Sequence, residues 1–483
     1  MIKLKTVIQQ LTEENYQELV LQFQKSRAEK FLSLLNSFRQ SQYSEDTISQ
    51  ELGLNKTAYY TLKSRLFEKI QEFLYANIED PRIELLSNVA NIYNLIYNTP
   101  KDTAIAVLKK LEKELIEYDM PNELTSVYNA LKKLHLTTPK YYEYAQLYNK
   151  HVAYTIALDK AEDLLARFTK SAGEYLTSRD KAMLELLKLM KLEMANVFRL
   201  YESHHLAIYR NILNITYALL VPGAQESNEE DSVEEMLNAS WKIFDENPRD
   251  ANYQYLRTIF DFLAFQYYHK FRLYKNETAF FEKVNERLDT FLLADHCCIS
   301  TLFLYSKAER YIYLNKPEKL QEEADALTVV ISKDDVTNFI FLNLHKACAA
   351  YYGRQYANAV KHLNEIVNSV SLKNMLHTEV EIKLFLALNH SMMNKYEQAE
   401  ILIKSLSRKL NERADNDYEN AQSFIRMLKI QMTSEVKEVE DKIRKLRDKF
   451  VAHNEGPNTI LGFLKVDDAF IADLSRSIKK EQV

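Results

Sequence analysis

Residues 302–327 read LFLYSKAERYIYLNKPEKLQEEADAL, residues 343–367 read NLHKACAAYYGRQYANAVKHLNEIV, and residues 382–406 read IKLFLALNHSMMNKYEQAEILIKSL. In each segment a small residue stands midway along a first apolar stretch, at Ala308, Ala347 and Ala387, so the interval is 39 or 40 residues. A small side chain lets two helices approach closely, and its recurrence indicates one packing arrangement used repeatedly. The sequence therefore predicts three helical hairpins in tandem over residues 302–410.

Polar breaks between the two halves of each segment support this interpretation. The breaks are Asn315-Lys316-Pro317, Gly353-Arg354-Gln355 and Asn394-Lys395. Asn and Gly can end a helix in the left-handed conformation, and Pro cannot continue one. A second stretch with helical spacing follows each break, and its apolar residues are Leu320, Ala324 and Leu327, then Ala359, Leu363 and Ile366, then Ala399, Ile403 and Leu406. Self-similarity with such a period is typical of an α-solenoid.

The hairpins resemble tetratricopeptide (TPR) repeats. Tyr356-Ala-Asn-Ala359 and Tyr396-Glu-Gln-Ala399 are similar to that family's start of the second helix, and Ala347 and Ala387 match its small residue in the first helix. The interval is longer than the family's roughly 34 residues, and the family's aromatic-Leu-Gly opening and closing Pro are missing. The resemblance implies an all-α superhelix whose concave face binds a protein or a peptide.

The composition fits a long helical chain without a membrane segment. The 483 residues include only six Gly and eight Pro, and 46% are hydrophobic, which suffices for a continuous core. The formal net charge of −5 gives no global case for binding nucleic acid or an anionic membrane. No apolar run of about eighteen residues occurs, no signal-peptide core is visible, and three Cys are too few for a disulfide scaffold. We therefore expect a cytoplasmic protein without a membrane partner.

A second motif lies near the N-terminus, after an amphipathic helix expected over residues 12–38. Residues 44–74 read SEDTISQELGLNKTAYYTLKSRLFEKIQEFL. A helix-turn-helix unit needs apolar residues at set offsets around a tight turn, because two short helices must pack near a right angle. Gly53 would supply the turn, Ser49 the small residue at the crossing and Asn55 the cap of the second helix. The apolar residues at the required offsets are Ile48, Leu52, Leu54, Tyr59 and Leu62.

This stretch resembles the helix-turn-helix of sigma-factor region four and of response-regulator output domains, including the Leu-Lys-Ser-Arg-Leu ending at residues 62–66. In such a unit the N-terminal part of the second helix meets base edges in the major groove. The resemblance implies that the residues facing bases are Lys56, Thr57, Tyr60, Thr61 and Ser64. Phosphate contacts would come from Lys63 and Arg65, with Arg39 or Lys69 in support.

The same geometry also occurs as an ordinary structural corner, or as a module for dimerisation or docking. Charge is nearly balanced over residues 1–75, and the second helix is expected to continue past Leu66 to Leu74, which is long for a free-standing reading helix. The outward face of that helix discriminates between the alternatives. Burial of this face against the rest of the chain would exclude DNA reading.

Breaks in the pattern divide the chain into four parts. A hinge at residues 78–81 separates a helix-turn-helix module, residues 1–77, from divergent helical hairpins at residues 82–220. The polar loop VPGAQESNEEDS, residues 221–232, precedes a TPR-like array at residues 233–434. Residues 435–483 are expected to form capping helices, the last of them over residues 460–478.

No catalytic or cofactor motif emerges from the sequence. The glycines are too scattered for a phosphate loop, and Gly-x-Ser-x-Gly, His-Glu-x-x-His and Cys-x-x-Cys are absent. Asp295-His296-Cys297-Cys298 combines imidazole and thiol groups that could bind zinc or act as base and nucleophile. Adjacent cysteines face different sides of a helix, however, so buried thiols beside a surface histidine are the better interpretation. We expect no enzyme activity, no cofactor and no metal site.

The order of the modules favours a non-enzymatic regulator. The array would bind a protein or a peptide, and the N-terminal module would bind double-stranded DNA, as in bacterial regulators that pair such modules. The alternative is a pure protein–protein interaction scaffold without DNA binding, whose N-terminal module packs on the array or dimerises. A homodimer is expected under the first hypothesis, because many two-site DNA binders are dimers, and is optional under the second.

Overall fold

The computed structural model describes residues 4–40, 45–76, 82–201, 203–221, 231–248, 250–293, 297–412, 417–433 and 439–479. Within these ranges the chain forms 25 α-helices and two short 3₁₀ turns, and it contains no strand. The predicted all-α class is confirmed. None of the described helices combines the length and the apolar character needed to cross a membrane.

Five helices at the N-terminus share one hydrophobic cluster. They are α1 (Leu4–Gln10), α2 (Glu13–Lys25), α3 (Glu29–Gln40), α4 (Glu45–Glu51) and α5 (Lys56–Ala76). Thr12 caps α2, since its hydroxyl oxygen accepts the N–H of Asn15 at 3.2 Å. The single helix expected over residues 12–38 is wrong, because Arg27 adopts a left-handed φ of 54° and separates α2 from α3.

A second cluster joins the next five helices. They are α6 (Ile83–Ala90), α7 (Ile92–Asn98), α8 (Lys101–Glu117), α9 (Pro121–Leu134) and α10 (Lys140–Ser178). Helix α10 has 39 residues and belongs to two clusters. Its Tyr144 packs with α8 and α9, whereas its residues from Tyr154 to Leu176 pack into a third and larger cluster.

The third cluster extends from Tyr154 to Leu474 and joins the remaining helices. In chain order these are α11 (Lys181–Leu200), α12 (His204–Leu220), α13 (Val233–Glu246), α14 (Ala251–Lys270), α15 (Tyr274–Glu286), α16 (Leu288–Leu293), α17 (Leu302–Tyr313), α18 (Pro317–Ala326), α19 (Val336–Tyr352), α20 (Tyr356–Ser369), α21 (Leu376–Met392), α22 (Tyr396–Asn411), α23 (Glu419–Thr433), α24 (Val439–His453) and α25 (Asp468–Lys479). The helix pairs predicted over residues 302–410 correspond to α17 and α18, α19 and α20, and α21 and α22.

One turn geometry ends the first helix of each of these pairs. Asn315, Arg354 and Asn394 have left-handed φ values of 54°, 56° and 59°. The next N–H donates to the carbonyl five residues earlier, from Lys316 to Tyr311 at 2.8 Å and from Lys395 to His390 at 2.9 Å. This is the Schellman arrangement, which satisfies carbonyls at a helix end. Gly353 itself has a φ of −73°, so the left-handed position in that pair falls on Arg354 instead.

The inner helices α19 and α21 are buried on nearly all sides. Ala347 and Ala387 are fully buried where neighbouring helices meet. On the inner side α10 packs against both helices, and it approaches so closely at Gly173 that a Cβ there would lie 2.6 Å from Oγ1 of Thr337. Helices α19 and α21 are therefore covered on one side by a helix that precedes them in the chain.

The C-terminal region also covers the inner side, and here the sequence expectation is wrong. Helicity begins only at Asp468, whereas residues 459–467 are non-helical. The backbone N–H of Leu461 donates to Oε1 of Glu381 at 2.8 Å, and the Phe463 ring packs on Phe385 at 5.1 Å between centroids. Burial of these residues against the array outweighs their helical periodicity.

We expect the close packing of helices at Ala347 to be sensitive to the size of the side chain at this position. Ala347→Leu adds methylene groups to a fully buried contact and should lower the free energy of unfolding by about 1–3 kcal/mol, as measured by urea denaturation. The matched control is Ala357→Leu on the exposed side of α20, with an expected change within about 0.5 kcal/mol. Equal effects of both changes would contradict this interpretation of the alanine repeat.

Candidate nucleic-acid interface and inner cavity

The turn between α4 and α5 fixes the direction of α5. Gly53 has a left-handed φ of 61°, and the Ser49 hydroxyl donates to the carbonyl of Leu54 at 3.0 Å. The side-chain oxygen of Asn55 accepts the N–H of Ala58 at 2.8 Å and so caps α5. The turn glycine and the capping asparagine thus occupy the positions that the sequence predicts for them.

One side of α5 is held in the N-terminal core. Tyr59, Leu66 and Ile70 are buried there, and they belong to the same cluster as Phe38 of α3 and Ile48 of α4. This anchoring leaves the opposite side of the helix to the solvent.

Six of the seven side chains predicted to contact DNA are exposed on that opposite side. They are Lys56, Thr57, Tyr60, Thr61, Ser64 and Arg65. The Tyr60 side chain is 55% exposed although it is aromatic. Hydroxyl groups, an aromatic ring and two cations therefore stand together within the first three turns of α5, and the burial that would exclude DNA reading is not found.

Lys63 and Arg39, which were predicted to contact phosphate, differ in how strongly they are engaged within the protein. Lys63 is half-buried, and its ammonium lies 5.6–5.7 Å from the ring centroids of Phe38, Tyr59 and Tyr60. The Arg39 guanidinium donates to the carbonyls of residues 8, 9 and 11 and pairs with Glu13 at 3.1 Å. Arg39 is therefore engaged at the end of α1, and we do not assign it to phosphate.

A cavity of about 960 Å³ lies among helices of the third cluster. Its walls come from α10, α12, α14, α15, α17, α19 and α21, and residues 456–462 contribute one edge. The lining combines apolar residues such as Leu263 and Ile340 with charged ones. Its volume lies near the upper end of the range that ligand sites occupy.

A histidine between two carboxylates forms one wall of the cavity. Nδ1 of His269 lies 3.3 Å from Oε1 of Glu277, and Nε2 lies 3.2 Å from Oε2 of Glu309. Burial alone would lower the pKa of His269, but the hydrogen bonds to both carboxylates outweigh it and raise the pKa to about 9. Nε of Arg310 lies 3.1 Å from the same Glu277 oxygen, so the wall is a network of alternating charges.

Other cations in the lining have no carboxylate partner among the described residues. Arg179, which ends α10 with a left-handed φ of 58°, has a buried Nε without a hydrogen-bond acceptor. The Lys270 ammonium donates to the carbonyl of Leu219 at 2.9 Å, and burial lowers its pKa. A buried donor without a partner is costly, and a carboxylate on a ligand would satisfy it.

The thiols of the Asp295–Cys298 segment and of Cys348 lie in mostly buried positions. Asp295 and His296 lie outside the described residues. Burial raises the pKa of the Cys297 thiol to about 12, and Cys298 and Cys348 are buried. His345 is buried, and its Nδ1 lies 2.8 Å from the carbonyl oxygen of Leu304. Burial lowers the pKa of His345 to about 3, so this ring is neutral at physiological pH.

Sequence reasoning did not find the cavity. Its charged residues, Arg179, His269, Glu277, Glu309 and Glu381, lie on five separate elements, and no local spacing connects them. Nothing in the sequence distinguishes Arg179, whose buried Nε has no hydrogen-bond acceptor, from Arg310, which pairs with Glu277. Only their surroundings in the fold do so.

The pKa of His269 predicts a specific pH dependence. Because the folded-state pKa is raised from 6.5 to about 9, the stabilisation from His269 is complete below pH 6.5 and is lost as the pH rises through 9. The difference in unfolding free energy between the wild type and His269→Gln should therefore shrink over this range. The change should not exceed about 3.5 kcal/mol, because the shift is about 2.5 pKa units and one unit corresponds to about 1.4 kcal/mol.

Urea denaturation at several pH values provides the measurement, and His362→Gln provides a control of opposite sign. Burial lowers the pKa of His362, so its difference from wild type should change on the acid side of pH 6.5 instead. A wild-type minus His269→Gln difference that stays constant from pH 6 to 10 would contradict the charged network.

Comparison with known proteins gives no further assignment. No protein-family model matches the chain, and no curated protein or solved structure shows a significant match.

Proposed function

We propose that the protein is a non-enzymatic regulator with two binding surfaces. The exposed face of α5 binds double-stranded DNA, with α4 and α5 acting as a helix-turn-helix. The inner side of a TPR-like superhelical array binds a peptide or an extended segment of a protein. Occupancy of the array biases DNA binding, so that each ligand changes the affinity for the other.

The observation that carries the DNA part is the exposed row on α5. Lys56, Thr57 and Tyr60 stand in the first turns of the helix, where a reading helix meets base edges. Arg65 stands further along, within reach of the backbone that borders the groove. Anchoring of Tyr59 and Leu66 in the core supports this function, because a reading helix needs a fixed orientation.

The cavity supports the second part of the proposal. A volume of about 960 Å³ suits a short peptide or a few residues of a protein segment rather than a folded partner. Arg179 and Lys270 favour a carboxylate, which an acidic side chain or a peptide C-terminus would supply.

Exposed aromatic residues favour the scaffold as a second candidate. Tyr75 of α5 is 78% exposed, and Tyr60 also lies on the surface, so that α5 could dock against a protein or a second copy of this chain. Under this alternative the same face would bind protein and not DNA.

Selection from random duplex DNA with the full-length protein distinguishes the two functions. We expect an enriched motif whose affinity, measured by fluorescence anisotropy, falls steeply with salt. Lys56→Glu combined with Arg65→Glu should abolish enrichment and reduce the salt slope by about one unit for each phosphate that the protein no longer neutralises. A palindromic motif would indicate a homodimer.

The matched control carries the same charge change elsewhere. Lys170→Glu combined with Lys188→Glu alters exposed residues of α10 and α11 and should leave the motif unchanged. Binding without a motif would reduce the proposal to non-specific phosphate contact. Absence of binding at low salt by folded protein would exclude the DNA function and favour the scaffold.

A synthetic random-peptide library with free C-terminal carboxylates tests the array. Enriched peptides should bind Arg179→Gln at least about tenfold more weakly, because a hydrogen bond to a charged group contributes about 1.5–3 kcal/mol. Arg199→Gln, on the exposed side of α11, should bind like wild type. If the enriched peptides bind both variants with the affinity of the wild type, the binding surface lies outside the cavity.

A further inference from the structure

Two histidines and an aspartate converge where the turn between α8 and α9 meets α12. His204 and His205 open α12 after the capping residue Ser203. Asp119 lies in the α8–α9 turn, where it adopts a left-handed φ of 46°. Asp250 approaches from the N-terminus of α14, which it caps. The group thus joins the hairpin of the second hydrophobic cluster to two helices of the third.

The potential ligand atoms face a common point. Oδ2 of Asp119 lies 2.9 Å from Nδ1 of His205 and 3.7 Å from Nε2 of His204. One ligand atom from each of these three residues lies within 4.8 Å of the other two. Around a tetrahedral zinc ion with bonds of about 2.0–2.2 Å, neighbouring ligand atoms are about 3.4 Å apart. The two distances from the Asp119 oxygen, 2.9 Å and 3.7 Å, lie on either side of this value.

Oxygen groups are also crowded at this point. The hydroxyls of Tyr154 and Ser203 each lie 2.7 Å from the same Oδ2 atom of Asp119, and they also contact each other. One carboxylate oxygen has two lone pairs, yet two hydroxyls and the Nδ1 of His205 surround it within hydrogen-bond distance. A cation at this point could bind the carboxylate oxygen and the imidazole nitrogen as ligands. A hydroxyl or a water could then complete its coordination.

The far nitrogens of both imidazoles are held by oxygen atoms. Nε2 of His205 lies 2.9 Å from Oδ2 of Asp250. Nδ1 of His204 contacts the hydroxyl of Tyr253. Metal-bound histidines ordinarily donate their other N–H to such an oxygen, which fixes the ring orientation and the tautomer. The structure thus holds the second partners as well as the three converging atoms.

The ligand set also matches the charge of a divalent ion. Two carboxylates, from Asp119 and Asp250, and two neutral imidazoles around one divalent cation form a group with no net charge.

We propose that Asp119, His204 and His205 bind a divalent transition-metal ion of the zinc type, with Asp250 and Tyr253 orienting the two rings. The small exposure of the side chains, 10% for His205 and 17% for Asp119, favours a structural or regulatory ion rather than a catalytic one. The ion crosslinks the α8–α9 turn to α12. This proposal departs from the sequence expectation and does not depend on the DNA or peptide functions.

The His269 group provides the comparison within the same chain. His269 also lies between two carboxylates, but Glu277 and Glu309 stand on opposite nitrogens of a single ring. No second imidazole joins them among the described residues, and the Arg310 guanidinium beside Glu277 opposes a cation. His269→Gln is therefore a matched change that should leave metal binding intact.

Untagged, EDTA-treated full-length protein titrated with Co²⁺ and Zn²⁺ tests the site. We expect one equivalent of Co²⁺ to produce the visible absorption of a four-coordinate ion, Zn²⁺ to displace it, and Zn²⁺ to raise the Tm. His204→Gln should abolish the absorption and the Tm shift, and His269→Gln should retain both. Asp250→Asn should weaken Zn²⁺ binding about 10–100-fold through loss of ring orientation.

His204 is the most exposed of the three ligands, with 25% of its side chain accessible, so His204→Gln is the variant best suited to keep the fold. Circular dichroism and the metal-free Tm verify this. Asp119→Asn provides a second ligand change. If wild-type protein shows neither a Co²⁺ signal nor a Zn²⁺-dependent Tm shift, the proposal is overturned. The group would then be a hydrogen-bonded His205 imidazolium without a metal ion. Binding that persists in both ligand variants would overturn the proposal equally.

Discussion

Helices α19 and α21 are covered on both of their sides, and much of the array depends on this constraint. Their second helices cover the outer side, whereas α10 and residues 460–464 cover the inner side. Little of either helix is left in water, so each polar side chain must find its partner within the protein. The amides of Asn343 and Asn389 donate to the carbonyls of Phe339 and Phe385, four residues earlier in each helix.

The cavity exists where this coverage is incomplete. Some polar groups of the cavity lining are satisfied in place, as for Glu381, which accepts the N–H of Leu461 and the hydroxyl of Tyr305 at 2.9 Å. Burial raises the pKa of Glu381 to about 7 despite these donors. Arg179, in the same lining, differs from Glu381, because its Nε is a buried donor without a hydrogen-bond acceptor. Neighbouring parts of the same surface therefore differ in how fully their polar groups are satisfied.

Local patterns in the sequence predicted the all-α class, the three helix pairs over residues 302–410 and several turn residues. Asn315 and Asn394 end their helices as expected, because Asn tolerates the left-handed conformation and is recognisable for it. Arg27, Arg272 and Arg354 adopt the same conformation without such a signature, so the break at Arg27 was missed. Their strain is offset by the packing of the helices on either side, which no local pattern reveals.

Long-range pairing accounts for most of the remainder. His204 and His205 are visible as neighbours in the sequence, but Asp119 lies 86 residues before His205 and Asp250 lies 45 residues after it. The exposed face of α5 was accessible to prediction, because its anchors and its outward residues all belong to one helix. A group whose residues come from several elements cannot be recognised before the fold is known. The charged residues of the cavity and the group around His205 are both of this kind.

The length of α10 has a consequence for how the molecule unfolds and transmits force. At 1.5 Å per residue its 39 residues extend about 58 Å, and one uninterrupted rod carries side chains of two hydrophobic clusters. Separating those clusters requires breaking the rod, which removes backbone hydrogen bonds in the middle of a helix. The two hydrophobic clusters are therefore expected to unfold in one cooperative transition. For the same reason, a movement of one end of α10 is expected to move the other end as well.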